Sequence, residues 1–316
     1  MPSPPEPPAA PAIQLRRDLI AQGWTDRALA AAVRSGQLVR VRRGAYVDAR
    51  AWMTLDGAQR YAARCRAVQL QACCELVLSH VSALPAYGAP LWGLALDVVH
   101  GSRSDERAGR REAGVVQHRG LLLPEDVEVH DGARVTSPTR TVLDLSTLVD
   151  VEPALVVAND LAHRGLVSSA GLRARYERPD GDGGMQHWPG TLATRIVLDL
   201  MDPAIESVGE SRVAYLCFSQ SLPRPETQVK VRDENGRVVA RVDFAWPALG
   251  VFLEFDGRVK YGADGQTVWE EKRREDRIRE LTGWRCIRLT WADLDDPVRT
   301  AARIRAVLAA AVERAS

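Results

Sequence analysis

The stretch ARVDFAWPALGVFLEFDGRVKY, residues 240–261, constrains the fold more than any other. It consists of two apolar runs joined by Pro-Ala-Leu-Gly. Before it come the alternating run ETQVKVRDE and the dipeptide Asn235-Gly236, the strongest short signal for a hairpin turn. A three-strand meander is therefore predicted. With 247–250 as a four-residue loop, Trp246 faces Val251, Ala245 faces Phe252, Phe244 faces Leu253 and Asp243 faces Glu254. A period of two then puts Glu254 and Asp256 on one strand face, with Asp243 on the same side across the hairpin. Opposed carboxylates in a sheet repel and need compensation. A divalent cation, Mg²⁺ or Mn²⁺, held by oxygen ligands is the functional reading. The structural reading makes Asp256-Gly257 a turn, lets Glu254 face solvent and has Arg241 or Arg258 neutralise the acids.

A chain of 316 residues implies two or three domains, and 46% apolar residues suffice for their cores. No run of eighteen apolar residues occurs, and the opening MPSPPEPPAAPA is a Pro/Ala tail without a signal core. The expectation is a cytoplasmic protein with no membrane association and a disordered tail over 1–12. The five cysteines show no C-x-x-C spacing and sit among apolar residues, which suits reduced core thiols. Lysine is rare: Lys230, Lys260 and Lys272 are the only three.

Residues 13–50 carry eight arginines against three aspartates, a local excess of +5 in a chain whose net charge is +1. The pattern reads as a helix, a turn at Gly23, a helix capped by Thr25 with a Leu29, Ala32, Val33 stripe, and a two-stranded ribbon around Gly44. Helix, turn, helix and wing is a duplex-DNA-binding arrangement. Thr25, Arg27 and Arg34 would face the groove beside Asp26, and Arg40, Arg42 and Arg43 would lie near phosphates. The alternative is a small helical hairpin with a solvated basic face.

GQLVRVRRGAY resembles the winged helix of AbiEi-type antitoxins and related regulators, which implies binding of double-stranded DNA and a toxin or other protein as partner. The middle region, 51–175, is read as α+β. Its SHVSA, SPTRTVLDL and ANDLAHRG are similar to the corresponding region of those proteins. Ser137 before Pro138 marks a helix start. The widely spaced His80, His100, His118 and His130 read as core or surface histidines rather than metal ligands. Residues 176–190, rich in Gly, Pro and Asp, read as a linker.

Over 191–316 the predicted order is helix 191–201, helix 209–219, the three strands, helix 269–281, strand 285–290 and a final helix near 296–313. The motifs GESR, RVDFAW, LEFDGRVKYG, WEEKRRED and GWRCIRLTWADL resemble the PD-(D/E)XK nuclease superfamily, in its branch similar to very-short-patch repair endonucleases. That resemblance implies a restriction-endonuclease-like mixed sheet flanked by helices, with Glu210, Asp243 and Glu254 as metal ligands. The superfamily's lysine position holds Asp256, so Lys260 or Lys272 would have to supply the cation. The chain is thus read as multidomain, combining α+β and α/β parts.

Two functions compete. One is a metal-dependent DNA endonuclease delivered to duplex DNA by the winged helix. The other is an AbiEi-like transcriptional regulator or antitoxin with an inactive nuclease-like domain. An RNA-directed nucleotidyl enzyme would need a Gly-Ser phosphate loop beside paired acids, which is missing from the sequence.

Overall fold

The computed structural model describes residues 12–103, 109–179, 183–257 and 265–315, the side chains of 110, 265–272 and 315 excepted. The chain forms two compact units, one comprising residues 1–157 and 166–198, the other residues 158–165 and 199–316.

The first unit begins with β1 (Gln14–Leu15), α1 (Arg16–Ala21), α2 (Asp26–Arg34), β2 (Leu38–Arg42) and β3 (Ala45–Asp48). Thr25 Oγ1 caps α2 by accepting the Ala28 N–H at 3.1 Å. Leu29 and Ala32 on α2 bury against Leu19, Leu38 and Tyr46, so a small apolar cluster holds the helix pair on the ribbon. Gly44 turns the ribbon at φ +78°, a conformation that a Cβ disfavours. The strands lie in the order β1-β3-β2; β1 is too short to have been visible as a strand in the sequence.

There follow α3 (Ala49–Met53), α4 (Gly57–Gln71), β4 (Leu76–Leu78), β5 (Val99–Arg103), β6 (Arg110–Glu112), β7 (Val115–His118), β8 (Val127–His130) and β9 (Ala133–Thr136). These strands form a mixed sheet in the order β6-β7-β5-β4-β9-β8. Then come α5 (Pro138–Ser146), α6 (Val151–His163), which counts with the second unit from residue 158, α7 (Ser169–Tyr176) and α8 (Thr191–Leu200), whose last two residues also do. Ser137 caps α5 as the sequence predicts. Arg140 on α5 is 1% exposed, donating to Asp144 at 2.8 Å and Asp126 at 3.0 Å, and Arg175 on α7 closes on the same Asp126 at 2.8 Å. Such a buried charge set is costly to break, because each lost partner strands an opposite charge. Tyr176, at the start of the stretch read as a linker, and Met185, inside it, are buried. Cys65 and Cys217 are buried thiols, whereas Cys73, just past the end of α4, is exposed, and Cys74 and Cys286 are half-buried.

The second unit contains α9 (Val208–Ser219), β10 (Glu226–Arg232), β11 (Val238–Trp246), β12 (Val251–Phe255), α10 (Gly265–Thr282), β13 (Arg285–Leu289), α11 (Trp291–Leu294) and α12 (Pro297–Ala315). Its sheet runs β10-β11-β12-β13. Asn235-Gly236 turns the first hairpin, with Gly236 at φ +77°. Across the second hairpin Trp246 pairs with Val251, Ala245 with Phe252 and Phe244 with Leu253, the register obtained by counting loop residues. β12 and β13 are parallel, as the long connection through α10 allows. One sheet face packs Phe244, Trp246, Leu253 and Leu289 against Val213 and Leu216 of α9 and Ile304 of α12. The other packs Ala245, Phe252 and Cys286 around Ile278 of α10. Burying each such large side chain stabilises by about 1.5–3 kcal/mol, so both faces fix the strands that carry the acids.

Candidate functional sites

In the second unit, Asp243, Glu254, Phe255, Asp256, Gly257, Arg274 and Arg288 line a cavity of 220 Å³. Period two places Asp243 on the side of Ala245, Glu254 on the side of Phe252 and Arg288 on the side of Cys286, which is the α10 face. The ladder between β11 and β12 ends at Phe244 and Leu253. Beyond it Asp243 takes over, its Oδ2 accepting the Phe255 N–H at 2.9 Å. On the far side of β12, the Asp256 N–H donates to the Leu289 carbonyl at 2.8 Å, so Asp256 extends the parallel pairing and its carboxyl belongs to the cavity rim.

Glu254 is met by arginine. Arg274 Nη2 on α10 donates to its Oε1 at 3.0 Å, and Arg288 Nη2 lies 3.9 Å from its Oε2. Of the neutralisers read from the sequence, Arg241 pairs with Glu206 at 2.7 Å while its charge also acts on Asp243, and Arg258 lies outside the described residues. Arg274 takes the place expected of a lysine; its signal in the sequence is its position on the charged helix that follows the acidic strands. Lys260 also lies outside the described residues, as does the side chain of Lys272 on α10.

Glu210, on the first turn of α9, is 8% exposed. It accepts from Ser207 Oγ at 2.7 Å, the Glu206 N–H at 3.1 Å and Gln228 Nε2 at 2.9 Å. Burial pushes its carboxyl above the ordinary value; the hydrogen bonds from Ser207, Glu206 and Gln228 oppose this, and the charge of Asp243 adds to it. Asp243 is likewise raised, first by burial; the Phe255 N–H opposes this, the Glu254 charge adds to it, and Arg274 and Arg241 oppose it. The three acids therefore form one electrostatic group. Gln228 is a second residue that the sequence did not flag. It sits on β10 at φ +50° and interrupts the pairing opposite Asp243, between Thr227 with Phe244 and Val229 with Val242. A strained backbone that aims a side chain at a buried acid is the kind of outlier found at functional sites.

Among the described residues, no three His, Cys, Asp or Glu side chains stand in an arrangement that holds a metal ion. That includes the histidines. His80, His100 and His118 do come together, with His100 Nδ1 2.9 Å from His118 Nε2 and the His80 and His118 rings stacked at 3.8 Å. Stacked rings do not converge their nitrogens on one point, so this is a polar cluster in which His80 is buried and His100 and His118 are half-buried. Burial pushes all three below the usual histidine value, His118 to about 3.

In the first unit, Thr25, Arg27, Arg34, Arg40 and Arg43 are exposed on α2 and the ribbon. Asp26 does not add free negative charge there, because Arg16 grips it with two hydrogen bonds of 2.6 and 2.7 Å. Arg42 departs from the expectation. A register shift in β2 between Arg40 and Arg42 leaves it half-buried, lining a separate cavity with Gln71, Cys73 and Glu75, and burial lowers its pKa.

Residues 15–47 match the family described as transcriptional regulator, AbiEi antitoxin. This is the segment that holds the two helices, the ribbon and their basic groups. No curated protein matches the chain. Among the described residues, no helix is long and apolar enough to cross a membrane.

Proposed function

We propose that this chain is a DNA-binding transcriptional regulator of the AbiEi antitoxin kind, in which a winged helix-turn-helix over residues 13–50 reads duplex DNA. One coincidence carries the reading: the family match over 15–47 falls on the segment whose α2 and ribbon expose Thr25, Arg27, Arg34, Arg40 and Arg43. In this arrangement α2 enters the major groove, where Thr25, Arg27 and Arg34 meet base edges, and Arg40 and Arg43 on the wing meet phosphates. The antitoxin description also implies a toxin protein as partner. Selection from a random duplex library by the purified full-length chain tests the reading. Enrichment of one sequence motif supports it, and recovery of an unenriched library refutes it.

A second reading is supported by the carboxylate cavity: divalent-cation-dependent hydrolysis of DNA phosphodiesters by the second unit, as a nuclease-like fold of the PD-(D/E)XK kind. Asp243 and Glu254 make the pair of carboxylates that a hard, mostly hydrated cation takes. Asp243, Glu254 and Glu210 offer only carboxylate oxygens, two of these groups are raised by burial and mutual repulsion, and Asp243 uses one oxygen on the Phe255 N–H. Asp243 and Glu254 would hold Mg²⁺ or Mn²⁺ with Glu210 behind them. A bound cation would neutralise these charges and lower the pKa of a water that attacks phosphorus. Asp256 at the rim is a further oxygen donor; Lys260 and Lys272 remain the proposed lysine cations. Cleavage of supercoiled plasmid with Mn²⁺, compared with Asp243→Ala and Glu254→Ala, decides this reading. Equal activity in all three excludes it.

A further inference from the structure

The cavity contains two guanidinium groups, and they are not equivalent. Arg288 Nη2 is held by Glu275 at 3.0 Å and only approaches Glu254, at 3.9 Å. Arg274 has Glu254 as its carboxylate partner, at 3.0 Å, and otherwise donates to the Arg241 carbonyl. Its side chain is 47% exposed, whereas that of Glu254 is 17% exposed. Arg274 is thus a half-solvated cation resting on the acid that a divalent ion would need.

We infer that Arg274 is a movable counter-cation of this cavity: it pairs with Glu254 in the cation-free chain, and gives up Glu254 for a nucleic-acid phosphate when a divalent cation binds. The inference rests on the second reading above. An arginine suits both partners, because its planar fork matches carboxylate and phosphate alike. Two consequences follow from linkage. Arg274 and the cation compete for Glu254, so removing the arginine tightens cation binding. Phosphate that captures Arg274 relieves this competition, so duplex and cation bind cooperatively, and by the same factor in either order.

The test is Mn²⁺ binding, followed by electron paramagnetic resonance, to the full-length chain and to Arg274→Gln, Arg274→Lys and Glu254→Gln, each with and without a short duplex. The half-exposed position of Arg274 tolerates its two changes, and circular dichroism checks the fold of all three variants. The expected result is that Arg274→Gln binds Mn²⁺ about three- to tenfold more tightly than wild type, from loss of a competing ion pair and a nearby positive charge. Duplex should tighten Mn²⁺ binding to wild type and to Arg274→Lys but not to Arg274→Gln. If wild type binds Mn²⁺ through Glu254 and Arg274→Gln binds it no more tightly, the inference alone is overturned. If no chain binds Mn²⁺ saturably, the hydrolytic reading fails and the inference with it.

Discussion

Gly209 lies against the ring of Phe255 so closely that a Cβ at 209 would come within 1.9 Å of the ring carbon Cε1. Bare backbone is what lets the first turn of α9 approach the end of β12, and Glu210 is the next residue. The contact therefore sets Glu210 behind the strand that carries Glu254. Gly209→Ala should overpack this junction and destabilise the second unit by about 1–3 kcal/mol, read as a lower urea midpoint at unchanged m-value.

Asp243 makes the second unit less stable than it could be. Its raised carboxyl pKa comes from burial and from Glu254. Below the unfolded carboxyl value of about 3.9 both states are protonated and no penalty exists; stability is lost as pH rises through the folded value. Asp243→Asn can still accept the Phe255 N–H. It should raise the melting temperature at pH 7.5 by roughly 2–4 °C, the shift about 1 kcal/mol produces in a unit of this size. The gain should vanish near pH 4.

The clustered histidines, one buried and two half-buried, give the first unit the opposite pH response. His80 is kept neutral by burial, then by His100 and Arg140; His100 by burial and Arg111 against Asp97; His118 by burial, His80 and His100 against Asp144. Their contribution is complete above the unfolded value of about 6.5 and falls as pH drops below it. Each histidine that stays neutral should cost about 1.4 kcal/mol per pH unit in that range. Urea unfolding at pH 7.5 and 5.5 checks this. His80→Asn, which tolerates the φ of +53° at that position, should remove one proton from the slope.

Gln228 combines backbone strain with a hydrogen bond to Glu210. Gln228→Ala keeps the strained φ and loses the bond, and should cost about 1–3 kcal/mol. Gln228→Gly loses the same bond but relaxes the backbone, and should be more stable than the alanine variant by about 1 kcal/mol. Chemical denaturation of both variants measures the difference directly.

The meander, its register and the flanking helices were legible because they rest on turn chemistry and periodicity: Asn235-Gly236, the 247–250 loop, and alternating runs that tolerate one register. Thr25 and Ser137 were legible as caps for the same local reason. Side-chain partners were not. Arg274 reaches Glu254 across twenty residues, and Gln228 meets Glu210 through an interruption of the ladder. Neither leaves a trace in local spacing. Arg42 was assigned to the wing by composition, but a register shift decides which way it faces. The histidines were read as core or surface groups rather than metal ligands, but their wide spacing hid that β4, β5 and β7 bring the neighbourhoods of His80, His100 and His118 together in one sheet.

The central claim is that α2 and the ribbon bind duplex DNA through exposed arginines. Fluorescence anisotropy of a labelled duplex, titrated with the full-length chain over a range of salt, tests it most directly. Arg40→Ala/Arg43→Ala should weaken binding and flatten the slope of log K against log salt by about 1.8, two phosphate contacts' worth. Arg42→Gln, at the half-buried position, should leave the slope unchanged. A double variant that binds with wild-type affinity and wild-type salt slope would contradict the account.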